Sequence, residues 1–178
     1  MDQQSVVAVY ESRDNAREAV HILKRGGISH DHISLVAPQQ PGEPESIDEL
    51  KFGDDSIHDA GVGAGVGGLV GLLSGAIVLA ATGGGAAFIV GPLAAGATGA
   101  IVGALLGAME GWGVHRHRLQ EYEEAVQQGQ ILVVVHGDPE TVSQAERMLH
   151  ETQSKEIHMH ARTGDDSPEV DDRLGKGK

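Results

Sequence analysis

The chain has 178 residues, enough for one ordinary domain plus an insertion. Its formal net charge of −13 argues against nucleic acid, which would need Lys and Arg to meet phosphates, and the absence of Cys excludes disulfides and thiolate chemistry. Glycine is the outlier, at 26 residues, about twice the usual share of roughly 7%.

The opening residues, MDQQSVVAVYESRD, hold no basic stretch followed by an apolar one, so no secretory signal is expected. SVVAVY is a compact β-branched run and predicts a strand. Ser12 suits the N-cap of a following helix, with Asp14 in its first turn near the positive end of the dipole. Ala16, Val20 and Leu23 fall at helical spacing, and Gly26-Gly27 stops the helix. HISLVA alternates and predicts a second strand, so residues 1–37 form a first βαβ half. Residues 38–59 carry Glu43, Glu45, Asp48, Glu49, Asp54, Asp55 and Asp59 against Lys51 alone, with Pro38, Pro41 and Pro44. Such a segment has little to bury and is expected to be a solvated linker.

From residue 60 to residue 109 there is no Asp, Glu, Lys, Arg or His. Thr82-Gly83-Gly84-Gly85 divides this run into 60–81 and 86–109. As helices, at ~1.5 Å per residue, these would span about 33 and 36 Å, each enough for one crossing of a bilayer core about 30 Å thick. Gly63, Gly67, Gly71 and Gly75 recur every four residues, and Gly91, Ala95, Gly99, Gly103, Gly107 and Gly111 repeat the interval. Residues four apart stack on a helix face, so each ladder predicts a groove that lets helix axes approach closely, as membrane helices do. Leu69, Leu72, Leu73, Ile77, Val78 and Leu79, then Ile101, Val102, Leu105 and Leu106, are too apolar for a flexible linker. A soluble assembly of mutually buried hairpins is the rival, because Gly and Ala contribute little transfer energy and Pro92 weakens insertion further. The match Gly63-x-Gly65-x-x-Gly68 to a dinucleotide fingerprint fails, since it follows an acidic linker instead of a strand and no carboxylate stands about 20 positions on.

Residues 60–112 are therefore expected to be a membrane hairpin, with Trp112, Arg116 and Arg118 at the lipid interface. Both arms emerge on one side, and the arginines place that side in the cytoplasm. Beyond it, residues 114–128 predict a helix with Leu119, Tyr122 and Val126 on one side, closed by Gly129. QILVVVH predicts a strand apolar on both faces, and Asp138 with Pro139 opens a helix lined by Val142, Ala145 and Leu149. EIHMHAR predicts a last, alternating strand, so residues 113–162 hold an extra helix and a second βαβ half, and 163–178 form a polar tail expected to be disordered. The fold class that follows is α+β: a ferredoxin-like split βαβ domain with an inserted Gly-rich antiparallel helical hairpin. SVVAVY and ILVVV, apolar throughout, take its central positions, and HISLVA and EIHMHAR its edges.

Three His-x-His pairs occur, His30/His32, His115/His117 and His158/His160. On a strand, i and i+2 share a face, but two imidazoles do not make a metal site. With His32 and His158 expected on opposite edges the pairs do not converge, and they are read as surface histidines. Ser34, Ser74 and Ser143 lack a base at readable spacing, so no catalytic residue, cofactor or metal is expected.

The order of these pieces resembles the bacterial low-temperature-induced and general stress protein family. VVAVYESRDNAREAVHILKRGGISHDHISLVA is similar to that family's N-terminal βαβ unit, and the likeness continues through the Gly-rich hairpin to ILVVVHGDPE, covering residues 5–162. The resemblance implies a stress-associated protein without a known reaction and supplies no catalytic residues. The expectation is a non-enzymatic membrane or membrane-binding protein that oligomerises through its glycine ladders, with itself and a lipid bilayer as partners and no small-molecule substrate. The alternative is a soluble, cytoplasmic homo-oligomeric scaffold or ligand-sensing module with the hairpins buried in the assembly.

Overall fold

The computed structural model describes residues 4–39, 77–82, 85–91, 93, 109–110 and 112–161. The first strand, β1 (Gln4–Tyr10), leads into α1 (Arg13–Arg25). Ser12 caps α1 by accepting from the Asn15 N–H at 3.2 Å, Asp14 lies in its first turn and Lys24 and Arg25 in its last, so both ends meet the dipole with the favoured charge. A short 3-10 turn, His30–His32, precedes β2 (Ile33–Pro38). After α2 (Arg116–Gln127) come β5 (Ile131–Gly137), α3 (Pro139–Leu149) and β6 (Glu156–Ala161). Asp138 caps α3, accepting from the Glu140 and Thr141 N–H groups at 3.0 Å each, with Pro139 at the position where its missing N–H costs nothing.

These elements, with a hairpin of β3 (Ile77–Thr82) and β4 (Gly85–Val90), build a six-stranded antiparallel sheet in the order β3-β4-β2-β5-β1-β6. The fold is thus mixed α and β. One face packs Val6, Ala8, Tyr10, Leu35, Val133 and Val135 against Ala16, Val20 and Leu23 of α1 and Val142, Ala145 and Leu149 of α3. The other packs Val7, Val9, Val36, Leu132 and Val134 against Leu119, Tyr122 and Val126 of α2, together with Leu93, Met109 and Trp112. Burial on both faces explains why β1 and β5 are apolar at nearly every position and alternate so little.

Three expectations are corrected. Residues 77–81 and 86–90 were to be helical, the end of one membrane arm and the start of the other; they are strands. IVLAAT and GAAFIV are short runs in which a charge-free stretch is equally compatible with a buried strand, and the Gly-Gly at 83–84 suits a two-residue β-turn as well as a break between helices. The second correction concerns β2, which is no edge strand. Its outer side pairs with β4, Val36 opposite Ile89 and Ala37 opposite Phe88, which satisfies main-chain groups that would otherwise be bare. Third, Gly91 does not belong to a helical ladder. It stands at φ +90 just after β4, where a Cβ would lie 2.4 Å from the Ile33 carbonyl oxygen. The other ladder residues, Gly63, Gly67, Gly71, Gly75, Ala95, Gly99, Gly103, Gly107 and Gly111, lie outside the described residues, as do the linker and the tail. Among the described residues no helix is long and apolar enough to cross a membrane.

Two positive-φ glycines separate backbone strain from crowding. Gly129 has φ +93 with nothing within 4 Å of where a Cβ would stand, whereas Gly91 has nearly the same φ against the β2 backbone. Gly129→Ala is expected to cost about 1 kcal/mol and Gly91→Ala about 3 kcal/mol or more. Urea unfolding midpoints of the two variants measure the difference, and equal shifts would refute the close approach of Gly91 to β2.

Candidate functional site

The polar groups of interest gather on the α2 face of the sheet, in two clusters. At the β6 edge, period-2 geometry turns both His158 and His160 toward α2, where their ring centroids are 6.5 Å apart. The Tyr122 hydroxyl and His160 Nε2 share a buried hydrogen bond of 2.7 Å. His158 Nε2 lies 3.3 Å from the Glu156 carboxylate. From the start of α2, His115 and His117 stack on each other at 5.9 Å, and Arg118 pairs with Glu121 at 2.6 Å.

Burial pushes the His160 imidazole down to about 4, and the nearby His158, Arg118, His115 and His117 push the same way. Burial also drives the Tyr122 hydroxyl well above the ordinary phenol range, opposed by Arg118. Near neutral pH the pair is therefore an uncharged imidazole held by an uncharged phenol. His115 and His117 stand near enough to His160 to oppose its protonation, but among the described residues no group of three metal-ligating side chains comes together.

The second cluster was not foreseen. His136, at the end of β5, stacks on Trp112 at 3.9 Å with the rings 7° from parallel, and His32 meets it edge-on at 5.6 Å. Burial lowers His136 to about 4, helped by His32 and opposed by a hydrogen bond to the His32 backbone. The 3-10 turn separates a pair that would share a face on a strand: His30 meets Asp31 at 3.2 Å in the open while His32 turns inward. His136 belongs to no His-x-His pair, and its partners come from residues far apart in sequence. Its one signal was a lone histidine closing an apolar strand.

Of the predicted interface residues, Trp112 lies on the protein's own sheet, 9% exposed, its carbonyl accepting from the Ser5 hydroxyl at 3.2 Å. Arg118 is half-buried in its ion pair, and Arg116 is placed only as the first residue of α2. Ser34 serves the fold as well: its hydroxyl accepts from the Leu93 N–H at 3.1 Å. A cleft of about 250 Å³ opens beside the first cluster, floored by Val9 and Tyr122 and rimmed by Glu121, Glu124, Glu156 and Lys155. This arrangement offers hydrogen-bonding groups beside a small cleft with a mostly acidic rim.

Against protein-family models, curated proteins and solved structures, the chain finds no match.

Both histidines tie stability to pH. Their folded values, about 4, lie below the ordinary 6.5, so between these limits the unfolded chain binds protons that the folded one refuses. Their contribution is complete above pH about 6.5 and is lost as pH falls toward 4. His160→Gln keeps a partner for Tyr122 but does not titrate. It should lessen the fall in urea midpoint between pH 7 and pH 4.5 by the equivalent of about 1–2 kcal/mol. A parent-like slope in that variant would remove His160 from the account.

Proposed function

We propose that the chain is a non-enzymatic, self-associating scaffold module of the bacterial stress response. Its core is a ferredoxin-like split βαβ domain, and its glycine-rich insertion serves its own fold and assembly. The strand order β2-β5-β1-β6, with α1 and α3 on one face, supports the ferredoxin-like reading once the β3–β4 hairpin is set aside. The stress association rests on the sequence resemblance.

The observation that carries the proposal is where the charge-free run goes. It returns to the domain as a two-stranded hairpin whose β4 pairs with β2, and it buries Phe88, Ile89, Leu93 and Met109 in the protein core. Side chains packed there are not available to lipid. The uncharged stretches left over, 60–76 and 94–108, would reach only about 26 and 23 Å as helices, short of a bilayer core of about 30 Å. The four-residue glycine spacing within them suits close contact between helices of the same assembly.

Membrane insertion is the second reading, favoured by fifty consecutive residues without a charge. Carbonate extraction and liposome flotation separate the two. The scaffold reading expects release at high pH, no flotation, and sedimentation as more than one copy without detergent. Retention in the carbonate pellet together with flotation would overturn it in favour of insertion through 60–76 and 94–108.

A further inference from the structure

An edge strand presents a row of unpaired N–H and C=O groups, and proteins blunt it with Lys, Pro or a bulge within the strand. β6 ends the sheet beyond β1, and among the described residues no strand lies on its outer side. Its sequence, EIHMHA, contains neither Lys nor Pro, and its one carboxylate, Glu156, stands at its first position. Met159, the exposed large hydrophobic residue among those described, stands in the middle of this strand at 40% exposure.

The strand is complementary to itself. Laid antiparallel on a second copy with His158 on the two-fold axis, it sets Glu156 opposite His160 of the second copy, and Ile157 opposite Met159. Directly opposed residues share a face, and both matches respect this. Glu156, His158 and His160 point to the α2 side, while Ile157 and Met159 point to the side of α1 and α3, where Ile157 already packs on the core. A carboxylate thus meets an imidazole on one face and two apolar side chains meet on the other, each twice by symmetry. A shift of two residues, with Met159 on the axis, sets imidazole against imidazole and Ile157 against Ala161; it would bring Glu156 opposite Arg162 but loses the Ile157–Met159 contact that covers the exposed side chain.

We infer that two copies of this chain pair through the outer edges of β6, in this register, to form one continuous twelve-stranded sheet. The inference rests on the self-association proposed above and names its surface. Met159 gains the cover it lacks in the single chain, and the main-chain groups of β6 gain partners.

The chain has no Cys, so single cysteines probe the register cleanly. In the paired strands the two copies of residue 158 lie opposite each other with Cβ atoms about 5 Å apart, within reach of a disulfide after small adjustment. The two copies of residue 156 are about 13 Å apart. Under mild oxidation, full-length His158→Cys is expected to form a crosslinked dimer at least tenfold faster than Glu156→Cys. Met159→Glu, which faces Ile157 of the second copy, is expected to weaken association at least tenfold by sedimentation while keeping the parent's circular dichroism. Equal crosslinking at 156 and 158, or association unchanged in Met159→Glu, would overturn this interface and leave the scaffold reading standing. A parent chain that sediments as a single copy would overturn both.

Discussion

A strand that is apolar on both faces has to be covered twice, and this chain places two such strands, β1 and β5, side by side at the centre of its sheet. Helices α1 and α3 cover one face. The other needs a second layer, which α2 supplies together with Leu93, Met109 and Trp112 from the inserted segment. Two buried serines attach that segment where it leaves and rejoins the domain. Ser34 takes the N–H of Leu93 and Ser5 donates to the carbonyl of Trp112, so hydroxyls on an apolar sheet satisfy backbone groups that burial would otherwise strand. The insertion is therefore part of the core it interrupts.

The same covering sets the electrostatics. Imidazoles at the rim of the α2 face, His136 and His160, are held neutral because burial penalises their charged forms. Each is held by something that tolerates a neutral ring: an indole face at 3.9 Å for His136 and a phenol hydroxyl at 2.7 Å for His160. Tyr10, on the opposite face, shows the corresponding effect, its hydroxyl raised to about 12 by burial despite a 2.8 Å bond to Thr152. Charge stays on the outer surfaces of the helices, where Arg17 meets Asp14 and Arg118 meets Glu121.

Much of the domain was legible before the structure, because it is written in local physics. Ser12 and Asp138 announce their helices, Gly26 ends the first, and the contrast between VVAV and the alternation of EIHMHA separates a central strand from an edge one. Residues 77–81 and 86–90 were misread because a run without charges does not reveal its period. Ala and Gly fit a helix as easily as a strand, and only pairing with β2 decides. Trp112 next to His115 and Arg116 has the composition of a lipid border, but its nearest surface is the protein's own sheet. The His32–Trp112–His136 cluster was illegible for a related reason. It joins three positions separated by tens of residues, and spacing rules see only neighbours.

The interleaving of the strands also has a bearing on synthesis. Among the described elements β1 comes first in sequence, yet both strands that flank it in the sheet, β5 and β6, are the last two described strands. β2 likewise has no contact with β1 along the ladder and meets β4 and β5 only after the acidic linker and part of the insertion have emerged. Long-range pairings of this kind are slow to close. Until β5 is made, the VVAVY segment has neither ladder partner, and its native cover is limited to α1 on one face and, later, Leu93, Met109, Trp112 and α2 on the other. A nascent chain halted before residue 131 would, on this topology, still lack both ladder partners of β1.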